Sequence, residues 1–129
     1  MRNDKNTKII ICLALIFSVL ALDRISKLLI LDILEDVGKV DIYITYFINL
    51  YLVWNKGVGF GLLSFDQNYI YHGITLFILL INLIIIYLIF KENYPKAYFL
   101  AIILGGSFGN FFDRYYYNAV PDFIDLNYK

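Results

Sequence analysis

Polar and apolar positions along this chain fall in blocks. Three long apolar blocks run from about residue 9 to 31, from 69 to 90 and from 97 to 114. Crossing a hydrocarbon core of about 30 Å takes roughly 20 helical residues, so the blocks predict three transmembrane helices. The intervening segment, 32–68, reads differently. Val40, Ile42, Ile44 and Tyr46 alternate with Asp41, Tyr43 and Thr45, the period-two pattern of a strand. A small β-rich segment lying on the membrane surface is the expectation there. Beyond Trp54, the glycines Gly57, Gly59 and Gly61 suit either a hairpin or a close approach of backbone to a ligand. Residues 115–129 form a tail after the third block. Without an internal repeat or a low-complexity tract, one membrane domain over 1–129 accounts for the chain.

Composition supports a membrane protein and narrows little else. Sixty per cent of the 129 residues are hydrophobic and the mean hydropathy is +0.67, more apolar than a soluble domain of this size. Eleven basic residues balance eleven acidic ones, so no global field favours nucleic acid or another strongly charged partner. The single cysteine, Cys12, offers no disulfide, redox pair or metal-ligand spacing and reads as a small buried hydrophobe. Neither a metal nor a cofactor is expected. Arg2, Lys5 and Lys8 precede the first block without a small-residue cleavage site after it, so that block is expected to be a retained span. With Lys91 and Lys96 in the second connection, the positive-inside rule puts the N-terminus and the loop from Lys91 to Lys96 in the cytoplasm. The 32–68 segment and the tail then lie outside.

The polar residues inside the spans carry the chemistry. Asp23 lies 14 residues beyond Ile9, roughly 21 Å up the core at 1.5 Å per residue. Asn110 and Asp113 lie 13 and 16 residues beyond Ala97, roughly 20 to 24 Å from the same side. Charges within a span are costly and face protein or water, so two helices delivering polar groups to one depth predict a single polar site near the outer surface. Each residue also has a plainer account. Asp23 and Lys27 stand at i and i+4 in the favourable order for a helix ion pair, and Asp113 with Arg114 suits a helix end where charges snorkel into water. Gly105 and Gly109 form a GxxxG helix contact. His72 reads as an interfacial residue, and Tyr115, Tyr116 and Tyr117 as an aromatic belt.

Taken together, these residues resemble the bacterial lipoprotein signal peptidases (signal peptidase II). The family's Asp-x-x-x-Lys pair is matched by Asp23 and Lys27, and its Asn-x-Gly-x-x-Phe turn by Asn55, Gly57 and Phe60. The run Gly105-Gly106-Ser107-Phe108-Gly109-Asn110-Phe111-Phe112-Asp113-Arg114 is similar to its Gly-Gly-small-x-Gly-Asn-x-x-Asp-Arg, and Val120-Pro121-Asp122-Phe123-Ile124-Asp125 to its Val-x-Asp-Phe-Ile-Asp. The four blocks occur in the family's order. The resemblance implies an aspartic peptidase of the bacterial cytoplasmic membrane, which removes the signal peptide of a diacylglyceryl-modified prolipoprotein. Two carboxylates sharing a proton would act as base and acid. By resemblance Asp122 is one of them. Asn55, Gly57, Asn110 and Arg114 would bind the substrate backbone, and Asp23, Lys27, Asp113 and Asp125 would brace the site. Lipidated signal peptides and membrane lipid are the implied partners.

In one respect the chain departs from that pattern. The family's second aspartate sits in an Asn-x-Ala-Asp motif at the start of a fourth helix, and residues 1–129 contain no such motif. The expectation is a chain cut short before that helix, which binds lipidated peptides and cleaves them poorly. A membrane protein that only binds such peptides is the alternative. A transport bundle would place polar groups at several depths, and the sequence shows mainly one.

Overall fold

A computed structural model describes residues 2–57 and 68–126, leaving aside the side chains of residues 2, 3 and 68. Its elements are α1 (Arg2–Val37), β1 (Asp41–Thr45), β2 (Ile48–Asn55), α2 (Asn68–Lys91), α3 (Lys96–Tyr117) and β3 (Val120–Leu126). Two helices, over Asp4–Val37 and Tyr69–Lys91, are long and apolar enough to cross a membrane. The third, α3, has 22 residues and is less apolar, since Ser107, Asn110, Asp113 and Arg114 interrupt it.

The first helix outruns its apolar block. At 36 residues it is about 54 Å long against a core of about 30 Å, so its ends extend past the apolar stretch. Nothing at residue 31 stops it. Helical hydrogen bonding continues until Gly38, whose φ of 79° and N–H donation to the Leu34 carbonyl at 2.8 Å form a left-handed C-cap. Residues 32–37, expected in the outer segment, are therefore helical.

The β-rich segment forms as expected, with one strand more. β1 and β2 make an antiparallel hairpin, in which Ile42 faces Leu50. Antiparallel to β2 runs β3, which pairs Asn55 with Val120, Trp54 with Pro121 and Val53 with Asp122. The sheet order is β1-β2-β3. The expected tail is thus a strand from Val120, after α3 ends at Asn118 with φ 56°. β3 is an edge strand, which tolerates Pro121 because a missing N–H costs nothing on the open side.

Small residues set how close the helices come. α3 packs against both α1 and α2, and the buried cluster Cys12, Ile89, Ala97, Ala101 and Leu104 fills the seams. A methyl group on Gly105 would come within 2.8 Å of the Ile16 carbonyl oxygen and 2.9 Å of the Val19 Cβ, whereas one on Gly106 would meet nothing within 4 Å. The GxxxG reading therefore holds at Gly105, as close backbone approach between helices requires. Gly105→Ala is expected to destabilise by about 1–3 kcal/mol through overpacking. Gly106→Ala, in open space, should be neutral or stabilise by up to about 1 kcal/mol. Unfolding both variants in mixed micelles tests the pair, and equal losses would overturn the close-approach argument.

At the opposite end of the helices, Lys8 is only 9% exposed. Its Nζ donates to the carbonyls of Ile89 (3.1 Å), Phe90 (3.3 Å) and Glu92 (2.9 Å). These are C-terminal carbonyls of α2 and the residue just after it, where a cation also complements the helix dipole. A residue expected only as a flanking charge thus ties α1 to α2.

Candidate active site

Four charged side chains meet between α1 and α3. Lys27 Nζ lies 2.8 Å from Asp23 Oδ1 and 2.5 Å from Asp113 Oδ2, and it donates to Asn110 Oδ1 at 3.0 Å. Arg24 Nη2 lies 2.8 Å from Asp23 Oδ2 and 2.5 Å from Asp113 Oδ1. Two carboxylates thus share two cations, and Asp113 is fully buried between them. The common depth deduced from helix rise is realised as direct contact. Gly109 makes the room: a methyl group there would lie 2.7 Å from the Asp23 carboxylate carbon.

One residue further along α3, the contacts turn toward the sheet. Arg114 is 4% exposed; its Nη2 donates to the Gly57 carbonyl, and its guanidinium lies 5.3 Å from the centre of the Tyr71 ring. The Tyr71 hydroxyl donates in turn to the Arg114 carbonyl at 3.0 Å. Among the described residues Nε and Nη1 of Arg114 have no hydrogen-bond acceptor. A buried guanidinium with idle donors is suited to take an acceptor from a bound molecule, because leaving such donors unmet is costly.

The sheet brings in Asp122. Asn55 Nδ2 donates to Asp122 Oδ2 at 2.8 Å, while the Gly57 N–H donates to Asn55 Oδ1 at 2.7 Å. That N–H decides which end of the amide is the acceptor, so the amino end of Asn55 faces Asp122. Gly57 therefore joins both systems, with its N–H on Asn55 and its carbonyl on Arg114. A continuous path runs Asp122, Asn55, Gly57, Arg114, and passes through the adjacent Asp113 into the ion quartet. Asp122 itself is half-buried. Its Oδ2 accepts from Asn55.

Of the nine residues picked out from sequence, seven fall on this path or on the quartet, and Asn110 is bonded to the quartet through Lys27. Asp125, expected to brace the site, is exposed on β3 opposite Asn49; no hydrogen bond or ion pair of its side chain is seen among the described residues. Asn55, expected to bind substrate backbone, spends both ends of its amide on Gly57 and Asp122. Asn110 gives its Oδ1 to Lys27. Phe60, Gly59 and Gly61 lie outside the described residues. No group of three or more His, Cys, Asp or Glu side chains among the described residues could hold a metal ion.

The family model for signal peptidase (SPase) II matches residues 15–129. The lipoprotein signal peptidase of Pelagibacter ubique is 52% identical over 116 residues, covering 90% of this chain and 70% of that protein. That of Anaplasma phagocytophilum is 38% identical over 124 residues, covering 93% and 76%. The chain belongs to the signal peptidase II family. Its fold resembles that of a bacterial membrane enzyme solved by the in meso method, with a TM-score of 0.70 at 24% identity over 95% of this chain and 71% of the other.

Two polar residues of the helices were not singled out from sequence. Arg24 is the second cation of the quartet and lies 5.0 Å from the centre of the Phe112 ring. Its neighbour Lys27 satisfied the i, i+4 rule and hid it, although an arginine inside an apolar block was itself the signal. Asn82, 1% exposed in the middle of α2, accepts from the Ser107 hydroxyl at 2.6 Å. A lone asparagine among leucines and isoleucines could have been read as an interhelical hydrogen bond. His72 is exposed, and its ring meets the Tyr71 ring edge-on.

Proposed function

We propose that this chain is a lipoprotein signal peptidase, an aspartic endopeptidase that cleaves diacylglyceryl-modified prolipoproteins on the N-terminal side of the lipidated cysteine. Asp122 supplies one carboxylate of the dyad, positioned by Asn55. Arg114 offers its free guanidinium donors, together with the amino end of Asn110, to the substrate backbone. Asp23, Arg24, Lys27 and Asp113 hold α1 and α3 at the separation this requires. The observation that carries the reading is the path from Asp122 through Asn55 and Gly57 to Arg114: it sets a half-buried carboxylate beside unmet buried donors in a member of this family.

In this reading α3 is a third span. The N-terminus and the Lys91 to Lys96 loop face the cytoplasm of a bacterial cytoplasmic membrane, and the sheet lies on the outer surface. The basic residues at one end of the helices support that orientation, and water reaches a bond near the bilayer boundary most readily there. In whole cells, a cysteine introduced at Asn93 should resist an impermeant thiol reagent; external labelling would reverse the topology.

A second reading is binding without cleavage, for which the unmet Arg114 donors would suffice by themselves. Incubating the purified protein with a diacylglyceryl-modified precursor separates the two. Release of the signal peptide supports the peptidase. Retention of an intact precursor on the protein supports the binder.

A further inference from the structure

At the end of the helices remote from Asp122, a cavity of about 610 Å³ opens between the start of α1 and the end of α2. Three of its lining residues are cationic, Lys5, Lys8 and Lys91, against one carboxylate, Asp4. Lys8 has its three N–H donors met by carbonyls, yet no carboxylate is seen on it, so its charge still acts on the cavity. Lys5 and Lys91 are exposed, and among the described residues no acceptor is seen on either amine. Ile9 and Phe90 supply an apolar wall, and Phe90 is 62% exposed. An excess of cations over an apolar wall, at the level where the apolar blocks begin and end, matches a phospholipid: phosphate on the lysines, first carbons of the acyl chain on Phe90.

We infer that this cavity is a binding site for the headgroup of an anionic membrane phospholipid, distinct from the peptide site and set at the opposite membrane surface. The inference rests on reading α1 and α2 as membrane spans. Basic pockets between helix ends recognise acidic headgroups by charge. Lys8 contributes a fixed charge, because moving it would break its three carbonyl contacts, and Lys5 and Lys91 close on the phosphate as mobile donors.

Native mass spectrometry of the whole protein, released from micelles holding equal phosphatidylglycerol and phosphatidylcholine of matched chains, tests the site. Phosphatidylglycerol should be retained in preference. Lys5→Gln and Lys91→Gln should each reduce that preference about five-fold, the equivalent of roughly 1 kcal/mol per lysine near an anionic surface. Lys8 is left intact because it joins two helices. Asp4→Asn removes the opposing charge and should raise the preference, which gives a readout of opposite sign that misfolding would not produce. Equal retention of the two lipids by the parent protein, or an unchanged preference in the lysine variants, would overturn the site. Displacement of the lipid by inorganic phosphate would assign the cavity to a soluble anion instead. Processing of a lipidated precursor is a separate readout, so failure here leaves the peptidase reading to its own test.

Discussion

Replacing Asp113 by asparagine is expected to destabilise the helix bundle by about 3–5 kcal/mol, the cost of stranding a buried charge. Asp113 is wholly buried and lies 2.5 Å from both Arg24 and Lys27. Without its charge, two cations face Asp23 alone, and Lys27, its side chain only 6% exposed, cannot reach solvent without separating α1 from α3. Charge balance, more than any one contact, sets the stability of such a group. Removing one cation together with Asp113 should therefore recover most of the loss: Asp113→Asn with Arg24→Gln leaves the Asp23 and Lys27 pair, 2.8 Å apart. The choice of Arg24 is deliberate. Its side chain is 22% exposed against 6% for Lys27, so its replacement disturbs packing least. Unfolding midpoints in mixed micelles decide the matter. A single variant as stable as the parent, or a double variant no better than the single, would show that the four residues do not act as a unit.

The quartet shows where helix arithmetic succeeds and where it stops. Rise per residue placed Asp23 level with Asn110 and Asp113, and α1 and α3 do meet at that level through Lys27. Azimuth was beyond that arithmetic. Which side of α1 faces α3 depends on Gly105 and Gly109, whose missing side chains let the backbones close, and only the packed structure shows that Arg24 reaches Asp113 from beside Asp23. The i, i+4 rule explained Lys27 as a partner of Asp23, yet Lys27 also contacts Asp113 and Asn110. Pairing rules within a helix are silent about partners on another helix.

The sheet was legible in part for a related reason. β1 alternates cleanly, whereas β3 reads Val, Pro, Asp, Phe, Ile, Asp, Leu, with no period-two pattern and a proline. It is a strand because β2 is there to pair with it, a contact between residues far apart in sequence that local pattern does not encode. That pairing sets Asp122 opposite Val53 and within reach of Asn55. The carboxylate proposed for the dyad is thus placed by an element that periodicity missed.

Asp122→Asn is expected to lower precursor processing by roughly 10²- to 10⁴-fold, the usual worth of a positioned acid-base group. The substitution preserves shape and keeps an oxygen available to accept from Asn55 Nδ2, so folding should be untouched and the loss should fall on turnover. Asn55→Ala tests positioning instead. It leaves the carboxylate in place but removes both the donor on Oδ2 and the acceptor for the Gly57 N–H, so Asp122 and the Gly57 backbone lose their common anchor. Processing should fall, by less than in Asp122→Asn, with a weaker hold on the precursor as well, because the Gly57 carbonyl also sets the Arg114 guanidinium. Arg114→Lys should weaken precursor retention most, since an ammonium meeting the Gly57 carbonyl cannot also present the planar pair of donors that Nε and Nη1 provide. Processing and precursor retention measured side by side sort the three variants. Undiminished processing by Asp122→Asn would remove this residue from the dyad, and a loss equal to it in Asn55→Ala would show that the anchor, not the carboxylate, is what the reaction requires.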